Sequence, residues 1–308
     1  MGIKHLNTYL KCNCQQNIRQ IHISDLSGKY IVIDTSIYMY KYEAEDALLE
    51  NIYLMLAIFR HYNVIPLFIF DGKPPKEKLE LLKKRRETKY LAERKYNELK
   101  ESIIIDDTIL EEMSSLKKQF VYLTRNKIDK VKELITAYGA CYYDADGESD
   151  EICASLVLSK KVWACMSDDM DMFVYGCTRV IRYFNLINHT AVLYFTKGIL
   201  KELNMTHKEF KEICVLSGTD YNVNIDENID LYKIMNHFKK YKKEQQKITF
   251  YEWLQANSSY ITDIDLLYKI NQMFDIKDKD KYKNIPITNG QINKEQIKSI
   301  MKEDGFLF

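Results

Sequence analysis

Short apolar runs separated by amphipathic or polar stretches are the main pattern along the first two thirds of the chain. Runs rich in β-branched and aromatic residues are typical of strands buried on both faces of a sheet. Three runs have this character: Tyr30–Asp34, Val64–Asp71 and Val162–Ser167. Between the first two, apolar residues recur at helical spacing from about Glu45 to His61. This order predicts a βαβ unit with parallel strands and a right-handed connection.

The remaining pattern predicts mostly helices. A long, strongly charged helix is expected at about 76–100, followed by a helical stretch at 102–122 with a break near 103–107. Other helices are expected at about 125–138, 148–159, 206–217, 229–241, 250–257 and 263–273. The charged helix has few apolar residues on any face, so it is not a core helix. Two interpretations remain open for it, a solvated surface helix and a basic arch over an active site.

Caps and turns define several element boundaries. Thr124 is expected to cap one helix, and Thr206 with Glu209 forms a capping box for another. Two strand-like segments, 179–184 and 191–195, predict a hairpin on the sheet edge. The last 35 residues are polar and weakly patterned, which predicts a loosely packed extension.

Charge is distributed unevenly along the chain. The formal net charge is +1, but residues 73–100 carry 11 Lys/Arg against 5 Glu, and residues 233–247 carry 6 Lys against one Glu. These segments contribute +6 and +5, so the rest of the chain sums to 1 − 6 − 5 = −10. Two basic segments on an acidic body suggest a polyanionic partner near a cation-binding centre.

The seven cysteines are scattered and form no CxxC pair, which argues against a zinc site and favours free thiols in a reducing compartment. No apolar run approaches the ~18 residues that a membrane-spanning helix needs, and no signal-peptide pattern begins the sequence. The sequence therefore predicts a soluble intracellular protein.

Seven carboxylates fall at predicted strand ends or helix starts: Asp34, Asp71, Glu148, Asp150, Asp169, Asp171 and Asp220. An acid in such a position is individually typical of a helix cap, but three of the sites follow predicted parallel strands. Acids gathered at this density repel one another and need a cation between them. Oxygen ligands without His or Cys suit Mg²⁺ or Mn²⁺.

This chemistry favours phosphodiester hydrolysis, since two such ions ~3.5–4 Å apart support in-line displacement at phosphorus. No Ser, Cys or His is placed for nucleophilic catalysis, and the absence of a GxxxxGK[ST] loop excludes a Walker ATPase.

Five segments in order resemble the flap endonuclease (XPG-type) family of structure-specific 5′ nucleases. They are Met1–Leu6, Ile33–Ser36, Phe70–Pro75, the internal region from Asp144 through Asp171, and Leu216–Tyr221. The resemblance covers about residues 1–221. It implies an α/β, PIN-like fold, with a mixed, mostly parallel sheet flanked by helices, a helical arch and a C-terminal helix–turn–helix type region.

The resemblance also implies a domain organisation. The nuclease core would span 1–245 and comprise an N-terminal part (1–103), the arch (about 73–123), an internal part (124–220) and a DNA-binding helical hairpin (about 206–245). Residues 246–308 would form a helical or partly disordered extension.

By the same resemblance, one Mg²⁺ is expected to be held by Asp34, Asp71, Glu148 and Asp150, and a second by Asp169, Asp171 and Asp220. Mn²⁺ is expected to substitute. Asp150 stands where flap endonucleases usually carry Glu, and the adjacent Asp168 is not expected to be a ligand.

The family also places phosphate-steering cations at Lys78 and Arg85, a base-stacking aromatic at Tyr40, and a close backbone approach to DNA at Gly2. The alternatives are surface charges for Lys78 and Arg85, and a core position for Tyr40.

Two departures from the family pattern change the expected partners. The loop at 222–228 lacks the glycines that form a K⁺ site in the family, although Asn and Asp tolerate positive φ. The basic residues Lys239, Lys240, Lys242 and Lys243 are expected to supply part of the DNA-backbone contact instead. The C-terminal sequence does not fit the sliding-clamp box of cellular members, so clamp binding is not expected.

The resulting hypothesis is a monomeric, Mg²⁺-dependent 5′ flap endonuclease and 5′–3′ exonuclease that acts on flapped, nicked or branched DNA in replication, repair or recombination. It would act in the nucleus or at a cytoplasmic replication site, a virus factory if the source is viral. The alternatives are an RNA-directed nuclease and a catalytically weak scaffold that binds nucleic acid with the same fold.

Overall fold

The computed structural model describes residues 3–101, 106–222, 230–244 and 247–306. Seven strands in these ranges form one mixed sheet, in the order β1-β7-β6-β5-β2-β3-β4. The strands are β1 Ile18–His22, β2 Tyr30–Asp34, β3 Ile65–Phe70, β4 Cys141–Asp144, β5 Ala164–Met166, β6 Arg179–Asn185 and β7 Thr190–Phe195. Strands β4, β3, β2, β5 and β6 are parallel, whereas β7 is antiparallel to both of its neighbours. The predicted mixed, mostly parallel sheet is confirmed.

Both outer strands were absent from the prediction. Strand β1 pairs with β7, so the predicted hairpin of β6 and β7 lies inside the sheet and not on its edge. In β1, Ile21 is the only fully buried residue, and the weak apolar signal explains why the strand was missed. Strand β4 pairs with β3 at the opposite edge and buries alternate residues only partly.

Helices cover both faces of the sheet. In the described ranges they are α1 Leu6–Asn13, α2 Thr35–Glu43, α3 Leu48–His61, α4 Leu79–Lys100, α5 Asp107–Lys117, α6 Arg125–Ala137, α7 Ser149–Leu158, α8 Asp171–Val174, α9 Thr196–Glu202, α10 His207–Leu216, α11 Leu231–Glu244, α12 Phe250–Asn257, α13 Ile264–Met273 and α14 Lys294–Glu303. Short 3₁₀ turns occupy 15–17, 23–26 and 76–78. The caps at Thr124 and Thr206 are present as predicted.

The alternation of side chains along the strands divides the interior into two hydrophobic layers. In β2, Ile31 and Ile33 pack with α2, α3 and α6 on one face, whereas Val32 packs with α7 and α10–α13 on the other. The run is apolar without alternation because both faces of the strand are covered.

The C-terminal segment differs from the loose extension expected from its sequence. Ile297, Ile300 and Met301 of α14 are buried in the same layer as α3 and α6. The backbone of Gly290 pairs with Gly139 just after α6, with its amide 2.8 Å from the Gly139 carbonyl. The segment therefore closes one side of the core.

Helices α4 and α5, with the 3₁₀ turn before α4, occupy the segment predicted to form an arch, and we call them the arch. Of the residues of α4, Ala92 alone is buried, as expected for a solvated helix. Helix α4 contacts α5 through the ion pair Lys95–Glu112. Tyr96 of α4 also packs edge-to-face on Phe120, which lies three residues beyond α5, with ring centroids 5.4 Å apart. The surface-helix interpretation therefore holds for most of α4, but not for its first turns, which reach the site described below.

No helix in the part of the chain that the structure describes has the length and apolar character needed to cross a membrane. All seven cysteines are free, and five of them are buried.

Candidate active site

The parallel strands bring the predicted acids to one edge of the sheet. Asp34 is the last residue of β2, Asp71 directly follows β3, and Asp169 lies three residues beyond β5. These strands are adjacent, in the order β5-β2-β3, and their carboxyl ends meet at the same edge. The recurrence of acids after apolar runs therefore corresponds to a real cluster. We call the following set the acid cluster: Asp34, Asp71, Glu148, Asp150, Asp169, Asp171 and Asp220.

A loop contact places the start of α7 beside the end of β3. The Gly72 amide donates to the Gly147 carbonyl at 2.7 Å, and the Lys73 amide donates to the Asp146 carbonyl at 3.1 Å. The Ser149 amide, in the first turn of α7, donates to Asp71 Oδ1 at 2.8 Å. A carboxylate at a helix N-terminus is stabilised by such free amides. Glu148 and Asp150 are thereby held next to Asp71.

We expect Gly72→Ala to destabilise the protein and misplace Asp71. A Cβ at this position would overlap the Ala145 carbonyl oxygen and lie 2.6 Å from the Asp146 carbonyl, and both obstacles are backbone. Forcing these loops apart is expected to lower the free energy of unfolding by about 2 kcal/mol, measured by urea denaturation. Gly147→Ala is the matched control, because its Cβ would approach nothing closer than the Lys73 carbonyl at 4.0 Å. Equal unfolding midpoints for the two variants would contradict the close-contact argument.

Two buried serines orient Asp34. Ser167 Oγ donates to Asp34 Oδ2 at 2.8 Å, and Ser149 Oγ donates to Asp34 Oδ1 at 3.3 Å. The sequence alone predicts no role for these serines, although each stands one residue before an acid of the two internal motifs. Their position beside the acids was the available signal.

The loop after β5 is held by its own backbone and by a buried arginine. The Asp171 amide donates to Asp169 Oδ1 at 3.0 Å. Arg182 of β6 donates to the Asp168 carbonyl at 2.5 Å, and the Tyr183 amide donates to Asp168 Oδ1 at 2.8 Å. The Asp168 carboxylate thus accepts a hydrogen bond from the backbone of β6. Sequence reasoning also missed Arg182, since nothing in β6 marks it as facing this loop.

The acid cluster carries strong electrostatic strain. Burial raises the pKa of Asp34 to about 7, and repulsion from Asp71 adds to the effect. Burial also raises the pKa of Asp150 and of Asp171 well above the ordinary carboxyl range, with repulsion from Asp34 next for Asp150 and from Asp169 next for Asp171. One oxygen of Asp171 is buried and has no hydrogen-bond partner among the described residues. The groups are close enough to oppose one another's ionisation.

Two cations from the base of the arch reach the same cluster. Lys78 Nζ lies 2.6 Å from Glu148 Oε1 and 3.7 Å from Asp220 Oδ2, and Arg85 donates to Asp220 Oδ2 at 2.9 Å. Burial would lower the pKa of Lys78, but its contact with Glu148 raises the pKa above the ordinary value. Lys78 is buried, so its interpretation as a surface charge is wrong, and Arg85 is only partly exposed.

Tyr221 completes this side of the cluster. Its hydroxyl donates to Glu148 Oε2 at 2.7 Å, and its ring centroid lies 4.8 Å from Lys78 Nζ. Glu148 is therefore held between a phenol and an ammonium group. Tyr221 belongs to one of the segments that carry the family resemblance, but its contact with Glu148 was not predicted from the sequence.

The donor chemistry of the cluster fits a divalent cation. All seven side chains offer hard oxygen ligands, and Asp171 keeps one buried oxygen without a partner. In the described part of the chain, no group of three or more His, Cys, Asp or Glu side chains is arranged to hold an ion as it stands. Glu148 and Asp220 instead bind the chain's own cations, Lys78 and Arg85.

Tyr40 lies on the surface near the cluster. Its side chain is 44% exposed, so the alternative of a core tyrosine is wrong. Burial of part of the ring and the charge of Asp71 raise the pKa of Tyr40, which places it near the acids. Lys89 Nζ lies 5.0 Å from its ring centroid. An exposed aromatic with an adjacent cation suits stacking of a base beside a phosphate.

The basic helix α11 presents lysines to solvent while its apolar residues are buried. Lys239, Lys240 and Lys243 are exposed, but Lys242 is tied to α10 through Glu209, at 2.9 Å. Gly2 and the loop residues 223–229 lie outside the described residues.

Comparisons with known proteins agree with this geometry. The model of the XPG N-terminal domain matches residues 1–92, and that of the XPG I-region matches residues 139–220. Flap endonuclease 1 of Encephalitozoon cuniculi is 31% identical over 238 residues, covering 72% of this chain and 68% of that protein. The Drosophila yakuba protein of the same name is 30% identical, covering 72% and 60%, respectively. Flap endonuclease 1 of Methanococcus aeolicus is 27% identical over 83% of this chain and 78% of its own.

Solved structures share the fold. The catalytic core of Rad2 in complex with a DNA substrate superposes with a TM-score of 0.69 at 20% identity, covering 99% of this chain and 96% of that one. Flap endonuclease-1 from Methanococcus jannaschii gives a TM-score of 0.66 at 23% identity, covering 99% and 94%. The two family models match in order and contain the whole acid cluster, and with the 31% identical relative they show that this chain belongs to the XPG-type flap endonuclease family.

Proposed function

We propose that this protein is a Mg²⁺-dependent 5′ nuclease that hydrolyses phosphodiester bonds in flapped, nicked or branched DNA during replication, repair or recombination. The observation that carries the proposal is the meeting of Lys78 and Arg85, from the arch, with acids from three parallel strands and two helix termini. Anionic and cationic side chains converge at one edge, as hydrolysis of a polyanion requires. Family membership supports the same activity.

The acid cluster is proposed to hold two Mg²⁺ ions. Asp34, Asp71, Glu148 and Asp150 would bind one, and Asp169, Asp171 and Asp220 would bind the other, with Mn²⁺ able to substitute. Bound ions would supply Lewis-acid activation of water and stabilisation of the leaving oxygen. Ser149 and Ser167 keep the Asp34 carboxylate oriented, and the Ser149 amide does the same for Asp71.

The chain's own cations are proposed to bind the scissile phosphate. Lys78 and Arg85 lie next to Glu148 and Asp220, so a phosphate that enters the cluster is within reach of both after a small side-chain movement. Arg85 presents a planar fork that matches two phosphate oxygens, whereas Lys78 acts as a buried point charge.

Three further contacts are proposed for the DNA around the cleaved bond. Tyr40 would stack on a terminal base, since its ring is open to solvent beside Lys89. Lys239, Lys240 and Lys243 would contact backbone phosphates, with Lys242 contributing when it leaves Glu209. The proposal extends to Gly2 by family resemblance alone.

The experiment that tests this function is cleavage of a 5′-labelled substrate panel. A 5′ flap, a nick, a blunt duplex, a single strand and an RNA flap are incubated with Mg²⁺, and with EDTA as control. We expect short products released from the DNA flap in Mg²⁺ only. Mononucleotide ladders from the nick would indicate a mainly exonucleolytic enzyme, and preferential cleavage of the RNA flap would favour the RNA-directed alternative. DNA binding without cleavage of any substrate would overturn the proposal in favour of the scaffold.

We expect Arg85→Ala to slow cleavage of the flap by about 10-fold to 100-fold, because it removes one of two phosphate-binding cations. DNA affinity should change far less, since the arch and α11 retain their other cations. The readout is the single-turnover rate alongside the dissociation constant measured with EDTA. Arg94→Ala is the control, because Arg94 is an exposed arginine of the same helix whose one ion pair within the described ranges is with Glu98. Equal rates for the two variants would remove Arg85 from the mechanism.

A further inference from the structure

An open cavity of about 850 Å³ lies at the end of the strands opposite the acid cluster. Strand β2 begins at Tyr30, which lines the cavity, and ends at Asp34 in the acid cluster. The cavity therefore lies at the amino ends of the parallel strands, whereas the proposed cleavage site lies at their carboxyl ends.

Four side chains line this edge in strand order: Phe195 of β7, Arg179 of β6, Trp163 before β5, and Tyr30 of β2. We call them the aromatic row. Arg179 and Phe195 are paired in register, and the Trp163 amide donates to the Tyr30 carbonyl at 2.7 Å. Neighbouring strands are about 4.8 Å apart, so the row spans about 14 Å. The Tyr30 side chain is 43% exposed.

The cavity is strongly cationic. In the part of the chain that the structure describes, its lining includes six cations and no carboxylate; these cations are Lys29, Lys160, Lys161, Arg179, Lys197 and Lys201. Among the described residues, none of the six forms an ion pair. Arg179 lies over the Trp163 ring, with 4.9 Å between the guanidinium carbon and the ring centroid. Its buried Nε has no hydrogen-bond partner in the described ranges. Six unneutralised cations in one concave surface favour an anionic ligand.

We propose that this cavity is a second nucleic-acid site, which binds a short single-stranded segment without cleaving it. Lysines at the rim contact the phosphates, and bases stack on Tyr30 and on the Arg179 guanidinium that covers Trp163. A duplex fits less well, because its bases are paired and cannot reach the aromatic row. An acidic peptide would use the lysines but leave the aromatic rings without a matching group. The site holds no acid, so it is not a second cleavage centre, and its occupancy does not depend on the proposed nuclease activity.

Photo-crosslinking locates the bound strand directly. The full chain is mixed in EDTA with a 12-nucleotide oligothymidine that carries 5-iodouracil, irradiated, digested and mapped by mass spectrometry. We expect adducts on the peptides that contain Tyr30 or Trp163. Adducts confined to the arch, α11 or the surroundings of the acid cluster would overturn the proposal while leaving the nuclease assignment intact.

A charge-reversal variant provides a second test of the proposed site. The double substitution Lys161→Glu/Lys197→Glu is expected to lower the adduct yield at Tyr30 and Trp163 about 10-fold, since each reversal removes a phosphate contact and adds a repulsive charge. Lys294→Glu/Lys298→Glu on α14 makes the same change in net charge at exposed positions elsewhere and should leave the yield unchanged. Both variants are checked for an unchanged melting temperature and flap cleavage. Equal yields for the two doubles would contradict the site.

Competition separates the ligand classes. Unlabelled oligothymidine should abolish the adducts at a concentration at which a glutamate oligopeptide of equal charge leaves them in place. More effective competition by the peptide would replace the nucleic-acid proposal with a protein-docking surface. More effective competition by a single nucleoside triphosphate would replace it with a mononucleotide site.

Discussion

Asp171→Asn is expected to reduce Mg²⁺-dependent flap cleavage by about 10³-fold, equivalent to about 4 kcal/mol of transition-state stabilisation. Asp171 is 2% exposed, and one of its buried oxygens has no hydrogen-bond partner in the part of the chain that the structure describes. Burial and repulsion from Asp169 hold its pKa well above the ordinary carboxyl range, so its charge is costly unless a cation is bound. Asparagine keeps the shape of the side chain but removes the charge that would bind the ion. Single-turnover cleavage of a 5′ flap measures the effect.

The same substitution should stabilise the protein when no metal is present. Removing one charge from a repelling cluster is expected to raise the free energy of unfolding by about 1 kcal/mol, and the melting temperature in EDTA by about 2 °C. Mg²⁺ should then raise the melting temperature of the variant less than that of the wild type, because binding to the folded state is weakened. Loss of cleavage with gain of stability distinguishes a ligand from a structural residue.

Asp168→Asn is the matched control for this test. It makes the same chemical change three residues earlier, at a carboxylate that accepts from the Tyr183 amide and that asparagine can replace as an acceptor. Cleavage by Asp168→Asn should stay within a few-fold of the wild type. Turnover of Asp171→Asn at the rate of Asp168→Asn would refute the assignment of Asp171 as a ligand.

The sequence predicts the acid cluster well because its placement depends on strand direction more than on packing detail. Continuous apolar runs identify buried parallel strands, and an acid at the end of each run must lie at the same sheet edge. Asp34, Asp71 and Asp169 follow this rule. Glu148 and Asp150 were recognised at a helix start, but the contact between that helix and β3 is not local, and only the family resemblance assigned them to the same ion as Asp71.

The features that sequence analysis missed depend on tertiary context. Strand β1 is recognisable only from its pairing with β7, because its own sequence has little apolar alternation. Helix α14 contains Ile297, Ile300 and Met301 at helical spacing, but the surrounding polar residues obscured this pattern. The role of Arg182 follows from the register of β6 against β5, which no local pattern specifies.

Lys78 connects the arch to the acid cluster more strongly than its position in a charged segment suggests. It belongs to a run with 11 Lys/Arg, yet it is buried against Glu148 and Tyr221 while most of its neighbours are solvated. A buried cation at this point neutralises Glu148 and faces Asp220. The first turn of the arch is therefore part of the site, although most of α4 is solvated.

Lys78→Met is expected to slow flap cleavage by about 10²-fold, since a phosphate would lose a desolvated cation while the shape of the stem is kept. Without metal, the protein should lose about 2 kcal/mol of unfolding free energy, because Glu148 loses a charged hydrogen-bond partner. Mg²⁺ should bind more tightly to the variant, since Lys78 no longer competes for Glu148. Titrating the melting temperature with Mg²⁺ measures the last two effects without relying on turnover.

Lys83→Met, at an exposed position of α4, is the control for loss of one positive charge. It should leave the melting temperature, the Mg²⁺ titration and cleavage close to those of the wild type. Lys78→Met is expected to decrease the cleavage rate and the stability without metal, but to increase the affinity for Mg²⁺. A surface lysine that only steers DNA electrostatically would slow association and change neither stability nor Mg²⁺ affinity. Weaker Mg²⁺ binding by Lys78→Met would show that Lys78 does not compete with the ion for Glu148.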